Sequence, residues 1–372
     1  MVIYKDWSLR HIVELLLIPG LGYKAQKAAL DRYDSLPELK EKPKGRGVDF
    51  SKILNESLFE SIDQSYISHE IKQMQKHDIE ILGHWENSFP QLLKKDNSSP
   101  AFLFSIGEIK TDPLKSISIV GTRRNSSYGK YATEKFVDSF VRNGISIISG
   151  MAQGIDSIAH KHTIGLGGHT IAVLGSGLAS INPSYSAAFA ENIIEKGGGL
   201  ISSYLPSTKA RPQFFVQRNR IISGMSRATL IVESKAKGGS LWTAKFANEQ
   251  GREVFAIPGK INSEKSEGTH QLIVDNIAQL ATSPEYILKE FNLLNDNLAV
   301  AESAENDKLK KLTATELTTY KILEADPMDM DVLINKLNFI DPNIGTNVHA
   351  SLLSLEFAGL IKQMPGGKYM KL

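Results

Sequence analysis

Six short apolar runs constrain this chain more than any other feature. They are Ile117–Val120, Ser146–Ile148, Thr170–Leu174, Leu200–Ser202, Thr229–Val232 and Glu253–Ile257, and segments of helical periodicity separate them. Runs too short for helices that alternate with helical segments spell βαβ units, hence a mostly parallel sheet with helices on both faces. A sheet covered on both faces has little use for polar alternation, which suits the nearly continuous apolar character of these runs. With 372 residues, 41% of them hydrophobic and 23% charged, the chain has enough apolar material for that core and length for two or three domains.

On either side the pattern changes. Residues 1–80 read as an N-terminal helical domain. Leu9, Ile12, Val13, Leu16 and Leu17 recur at helical spacing, Pro19-Gly20-Leu21-Gly22 ends the pattern, and the polar stretch from Glu38 to Asp49 reads as a loop. Residues 81–291 hold the α/β region, and the polar stretch 292–309 reads as a linker. Residues 310–372 open with Thr313-Ala-Thr-Glu316, a capping-box pattern, and continue with helical patterns at Met330–Leu337 and Asn343–Phe357. They close on Leu360–Met364 and Lys368–Lys371 around Pro365-Gly366-Gly367, a hairpin. Three helices and a hairpin outline a winged helix.

In an open parallel sheet, ligands bind beyond the carboxyl ends of the strands. Five of the six runs lead into glycine-bearing turns there: Gly121-Thr122-Arg123-Arg124 with Ser126 and Tyr128; Ser149-Gly150 to Gly154; Gly175-Ser176-Gly177; Gly238-Gly239-Ser240 with Thr243; and Pro258-Gly259. Glycine lets a backbone come close to a ligand, and helix N-termini offer free N–H groups and a positive dipole end. Taken singly, each loop is explained as well by a tight βα turn; five together, one with two arginines, favour an anionic ligand. Charge is segregated to match. No acidic residue stands between Pro113 and Thr133, which hold Lys115, Arg123, Arg124 and Lys130. None stands between Pro206 and Arg227, which hold Lys209, Arg211, Arg218, Arg220 and Arg227. On a chain of net charge +2, such windows mark a local footprint for a polyanion. Tyr128, Phe214, Phe215 and Trp242 are interleaved with them and could stack unpaired bases, although core packing is the better reading of Phe214 and Trp242 taken alone.

Several chemistries are excluded. Without cysteine there is no disulfide framework, thiolate metal site or cysteine nucleophile. The chain carries no G-x-x-x-x-G-K-[ST], no G-x-S-x-G and no H-E-x-x-H, and Gly175-Ser-Gly177 fails the dinucleotide fingerprint at its last position. No metal site, cofactor or catalytic set is expected. Asp156 and His160 share one helical face, and Glu233 follows a strand; these acids read as loop anchors, or alternatively as the acidic groups of a nucleoside phosphate hydrolase. A protein-only scaffold is a third reading. The opening residues lack a signal peptide and no run of about 18 apolar residues occurs, so a cytoplasmic protein is expected.

Six ordered blocks resemble one family. V-G-T-R-R-N-S-S-Y-G (120–129), S-G-M-A-Q-G-I-D-S-I-A-H (149–160), A-V-L-G-S-G (172–177), R-N-R-I-I-S-G-M-S (218–226), G-G-S-L-W-T-A (238–244) and G-R-E-V-F-A-I-P-G (251–259) are similar to the DNA-processing protein A (DprA/Smf) family. Phe89-Pro90-Gln91-Leu92 and Pro100–Leu103 fit its preceding segment. The resemblance implies an extended Rossmann-like fold with an N-terminal helix–hairpin–helix or SAM-like domain and a C-terminal winged helix. It implies single-stranded DNA binding, a homodimer, loading of RecA in natural transformation, and no established enzymatic activity. The DNA-binding set then comprises Gly121, Thr122, Arg123, Arg124, Ser126, Tyr128, Gly150, Gly154, Gly175, Ser176, Gly177, Lys209, Arg211, Phe215, Arg218, Asn219, Arg220, Gly239, Ser240 and Thr243, with Asp156 and Glu233 as anchors. The chain departs from the family pattern at Gln153, Ser203, Val216 and Gly238. In the winged helix, residues 341–359 hold no Lys or Arg, which predicts weak phosphate contact and a protein-interaction or regulatory role.

Overall fold

The computed structural model describes residues 2–43, 49–51, 62–109, 111–181, 184–294, 312–323, 327–340 and 348–371. A short hairpin of β1 (Val2–Tyr4) and β2 (Trp7–Ser8) precedes helices Leu9–Leu17, Tyr23–Arg32, Leu36–Glu41 and Gln64–Lys76. The third of these occupies part of the expected loop. Ser35 caps it by accepting from Glu38 N, and Pro37 sits in its first turn, where a missing N–H costs nothing.

The central sheet has nine strands: β3 (Glu80–Gly83), β4 (Phe102–Gly107), β5 (Ser116–Val120), β6 (Ser146–Ser149), β7 (Thr170–Val173), β8 (Gly199–Ser202), β9 (Ala228–Ile231), β10 (Glu253–Ala256) and β11 (Gln279–Leu280). Their order is β11-β10-β9-β5-β6-β7-β8-β4-β3. Strands β5 to β11 run parallel, whereas β4 pairs antiparallel with both β8 and β3. The chain winds outward from β5 through β8, then returns to lay β9 on the other side of β5. That reversal opens a crevice at the carboxyl ends of β5 and β9, where doubly wound sheets place their ligands.

Successive residues of each strand feed opposite layers. Ile117 and Ile119 join Phe136, Phe140, Ile155 and Leu288 on one face; Val120, Ile148 and Val173 join Ile221, Ile222, Ala244 and Ala247 on the other. Each fully buried side chain of this size contributes about 1.5–3 kcal/mol, which fixes the strand register firmly. A third core joins the N-terminal helices to the sheet: Trp7, Ile12, Leu30 and Ile67 share a cluster with Phe102, Phe104, Leu174 and Leu205. The N-terminal helices are thus seated on the loops that follow β7 and β8.

The C-terminal region forms helices Ala314–Ile322, Met330–Ile340 and Val348–Phe357 with β12 (Met328–Asp329), β13 (Ile361–Met364) and β14 (Lys368–Lys371) in an antiparallel sheet ordered β12-β14-β13. Thr313 and Glu316 form the capping box. Its core, including Leu333, Leu337, Leu352 and Ile361, is a separate cluster. Most of the 292–309 linker and the start of the Asn343–Phe357 pattern lie outside the described residues.

Candidate nucleic-acid interface

The turn after β5 is held by Glu233, which follows β9. Ser126 N donates to Glu233 Oε2 at 2.9 Å, the Ser126 hydroxyl donates to Oε1, and Thr122 N donates to the Glu233 carbonyl at 2.8 Å. Ser126 also caps helix Ser127–Arg142, accepting from Gly129 N at 2.9 Å. Glu233 is buried, and its carboxylate is spent on this turn. The turn in return presents Arg123 and Arg124 to solvent at the carboxyl edge of the sheet.

Glycine does something other than the sequence suggested. Gly154 has φ +88°, and a Cβ there would collide with the Thr122 carbonyl oxygen; a Cβ on Gly150 would collide with the Arg218 guanidinium. Gly121, Gly175 and Gly177 also face protein: Ile155, Phe215 and the Leu205–Pro206 backbone respectively. Their freedom packs loop against loop. Only at Gly239, of the glycines in the expected set, would a Cβ meet nothing. Ser176 is buried, with its carbonyl accepting from the Ser202 hydroxyl at 2.7 Å.

Arg123 and Arg218 meet on one ring. The Arg123 guanidinium stands 5.5 Å from the Phe215 centroid and the Arg218 guanidinium 5.9 Å from it. Arg123 is exposed, whereas Arg218 is only 3% exposed, with Nη1 donating to the Gly150 and Val173 carbonyls. Arg218 is therefore a charge in the floor, and direct phosphate contact from it is withdrawn in this structure. Burial, opposed by Asp156 and aided by Arg123, pulls the Arg218 pKa down to about 10, which leaves it protonated at neutral pH. Burial likewise raises the Asp156 carboxyl, against the pull of Arg218 and of backbone N–H donors that include Gly150. His160 is buried with Nδ1 2.7 Å from the Thr170 hydroxyl; burial and Arg218 push it down to about 3, so it is a neutral packing residue.

Beside this cluster, Arg211 lies 5.7 Å from the Phe214 ring, which stacks on Tyr204 at 4.2 Å. Lys209, Arg211 and Gln153 are exposed. Tyr204 carried no signal in the sequence, because nothing in its spacing distinguishes a stacked ring from a packed one. Four expected contacts go elsewhere. Arg220 is taken up by Asp96 at 3.0 Å and Glu249 at 2.8 Å. Tyr128 packs into the core and donates to the Pro258 carbonyl at 2.8 Å. Thr243 is fully buried, and Ser240, also buried, donates to the Ser234 hydroxyl at 2.9 Å. Trp242, expected in the core, is 45% exposed. Asn219 is half-buried, its Nδ2 donating to the Gly239 carbonyl at 3.3 Å. Among the described residues, no group of three or more acids or histidines could hold a metal, and no helix is long and apolar enough to cross a membrane.

Comparison with known proteins gives a consistent result. The family model described as DNA recombination-mediator protein A matches residues 80–292. Protein Smf of Escherichia coli K12 is 38% identical over 288 residues, covering 76% of this chain and 75% of that protein. DNA processing protein DprA of Streptococcus pneumoniae R6 is 32% identical over 280 residues, covering 72% and 96%. The crystal structure of the S. pneumoniae protein superposes with a TM-score of 0.63 at 32% identity, over 78% of this chain and 99% of that one. A structure of DNA processing protein A from Helicobacter pylori, described for its single-stranded DNA binding mode, superposes with a TM-score of 0.51 at 26% identity, over 57% and 94%.

Proposed function

The chain belongs to the DNA recombination-mediator protein A (DprA/Smf) family, and from that premise we propose that the rim carrying Arg123, Arg124, Lys209 and Arg211 binds single-stranded DNA during DNA processing for transformation. One observation carries the reading: Arg123, from the turn after β5, and Arg218, from helix Pro212–Gly224, converge on Phe215 at the carboxyl edge of the sheet, where this fold places ligands. Arg123, Arg124, Lys209 and Arg211 meet phosphates, Phe215 offers a face to a base, and Arg218 lends charge from below without touching the strand. Duplex DNA keeps its base faces hidden, so the ring is useful only to an unpaired strand. In the same reading the protein acts by binding rather than by bond-making, works in the cytoplasm as a homodimer, and passes the coated strand to RecA. Two copies on one strand would raise the local concentration of each site for the other.

Glu233 supports binding over hydrolysis. It is buried, and each of its oxygens accepts from Ser126, which is the role of an acid that anchors a loop. A fluorescently labelled oligo-dT, titrated against a matched duplex at two ionic strengths, tests the proposal. Tighter binding of the single strand at both is expected; equal affinity for the two, or release of phosphate from added nucleotides, would contradict it.

A further inference from the structure

The exposed indole of Trp242 lies outside the contacts described so far. The chain has three tryptophans. Trp7 is fully buried, with Nε1 donating to the Tyr33 carbonyl at 3.1 Å, and Trp85 stacks on Tyr4 at 4.0 Å and meets Phe102 edge-on. Trp242 alone among them stands in solvent, at 45% exposure, on the first turn of helix Ser240–Glu249. A ring of this size is ordinarily withdrawn from water or given a partner.

Its surroundings select a partner. The Lys245 ammonium stands 5.2 Å from the indole, and Lys245 is itself exposed. Gly239, the residue that opens the helix, has no side-chain cap and clear space in front of it. Asn219 Nδ2 donates to the Gly239 carbonyl at 3.3 Å and so ties this turn to helix Pro212–Gly224. On that helix Asn219 follows Phe215 by four residues, a rise of about 6 Å. The helix turn of Trp242 is therefore joined through one side chain to the helix that carries the Arg123–Phe215–Arg218 cluster. A cation beside an exposed aromatic, continuous with a basic rim, fits a nucleotide better than an acidic or apolar protein surface. Glu249, on the same helix, is already engaged by Arg220.

We infer that Trp242 stacks an unpaired base of the bound strand, extending its track beyond Phe215, with Lys245 meeting the adjoining phosphate. This rests on the single-strand reading of the rim. Because Trp7 and Trp85 are packed, a ligand-induced change in tryptophan emission reports Trp242. Oligo-dT is expected to quench the emission of the full-length chain. Trp242→Phe is expected to abolish the quench while anisotropy of a labelled oligo-dT still rises. Trp242→Ala is expected to weaken binding by about fivefold or more, the lower end for one lost base stack, with the melting temperature unchanged. Binding without quenching, or quenching that survives in Trp242→Phe, overturns the inference and leaves the rim intact; it would turn Trp242 over to a protein partner. A wild-type chain that leaves the labelled strand free overturns the rim reading, and the stacking with it.

Discussion

The carboxyl edge of the nine-stranded sheet and the C-terminal three-helix unit have opposite surface chemistry. The edge exposes Arg123, Arg124, Lys209 and Arg211, keeps Arg218 beneath them, and shows few apolar groups apart from Phe215 and Trp242. Helix Val348–Phe357 has no Lys or Arg and exposes Leu353 at 56% and Phe357 at 85%; helix Met330–Ile340 leaves Phe339 at 93%. Phosphate affinity scales with cations that can reach it; the C-terminal unit exposes Lys321, Lys336 and Lys362 but has none on helix Val348–Phe357, so that helix has no phosphate contact to offer. The edge has the charge for a polyanion, and the C-terminal unit has the apolar surface for something else. The difference also shows where charge is invested within the fold: loops anchored by a buried acid, as Glu233 anchors Arg123, hold guanidinium groups at fixed positions before a ligand arrives.

This contrast can be broken in several ways. The largest effect is expected from Arg123→Ala combined with Arg124→Ala, which should lower single-strand affinity by more than about tenfold for every sequence alike, as loss of phosphate contacts does. Filter binding with unrelated oligonucleotides checks it, and a loss confined to some sequences would point to base readout instead. Next, Phe215→Ala should cost about fivefold or more, whereas Arg220→Ala, whose charge is bound by Asp96 and Glu249, should leave affinity unchanged and lower only the melting temperature. Deleting residues 310–372 should leave affinity nearly intact, and a tenfold loss would show that the apolar unit touches the strand after all. Changing pH between 6 and 9 should alter affinity least, because the proposed contacts are arginine and lysine, and Arg218, at about 10, stays charged over that range. A steep fall centred near pH 6.5 would implicate a histidine that the site does not contain.

The Asp96 carboxyl offers a separate check on stability. Burial raises its pKa, but hydrogen bonds from Gln250, Ser98 and Arg220 outweigh that and hold it below the usual carboxylate range. A depressed folded pKa stabilises the protein above the ordinary carboxylate range, and that contribution is lost as pH falls through the folded value. Asp96→Asn should therefore lower the melting temperature at pH 7 and converge with wild type in strong acid.

The strands were readable because both of their faces are buried: all six apolar runs end within a residue of β5 to β10. Strands β3, β4 and β11 were missed: Glu80–Gly83 and Gln279–Leu280 are too short to give a period, and Phe102–Gly107 sits in a segment read only as a preceding approach. Arg123 and Phe215 were legible from position, one directly after a strand, the other within an acid-free window. Burial was not. Arg218 and Arg220 are two residues apart in one basic triplet, yet one turns under the loops and the other to Asp96, a residue 124 positions away. No local pattern records such a distant partner. The glycines misled for the same reason: what a missing Cβ makes room for is visible only once the neighbouring loop is in place, as Thr122 is against Gly154.

If a fixed set of exposed cations at the sheet edge holds an unpaired strand, the salt dependence of oligo-dT affinity must show it. With about three to five phosphates neutralised, log K against log salt should fall with a slope of roughly −2 to −3.5, and removing Arg123 and Arg124 together should flatten it by about 1.4. A slope near zero, or one that the double substitution leaves untouched, would contradict it.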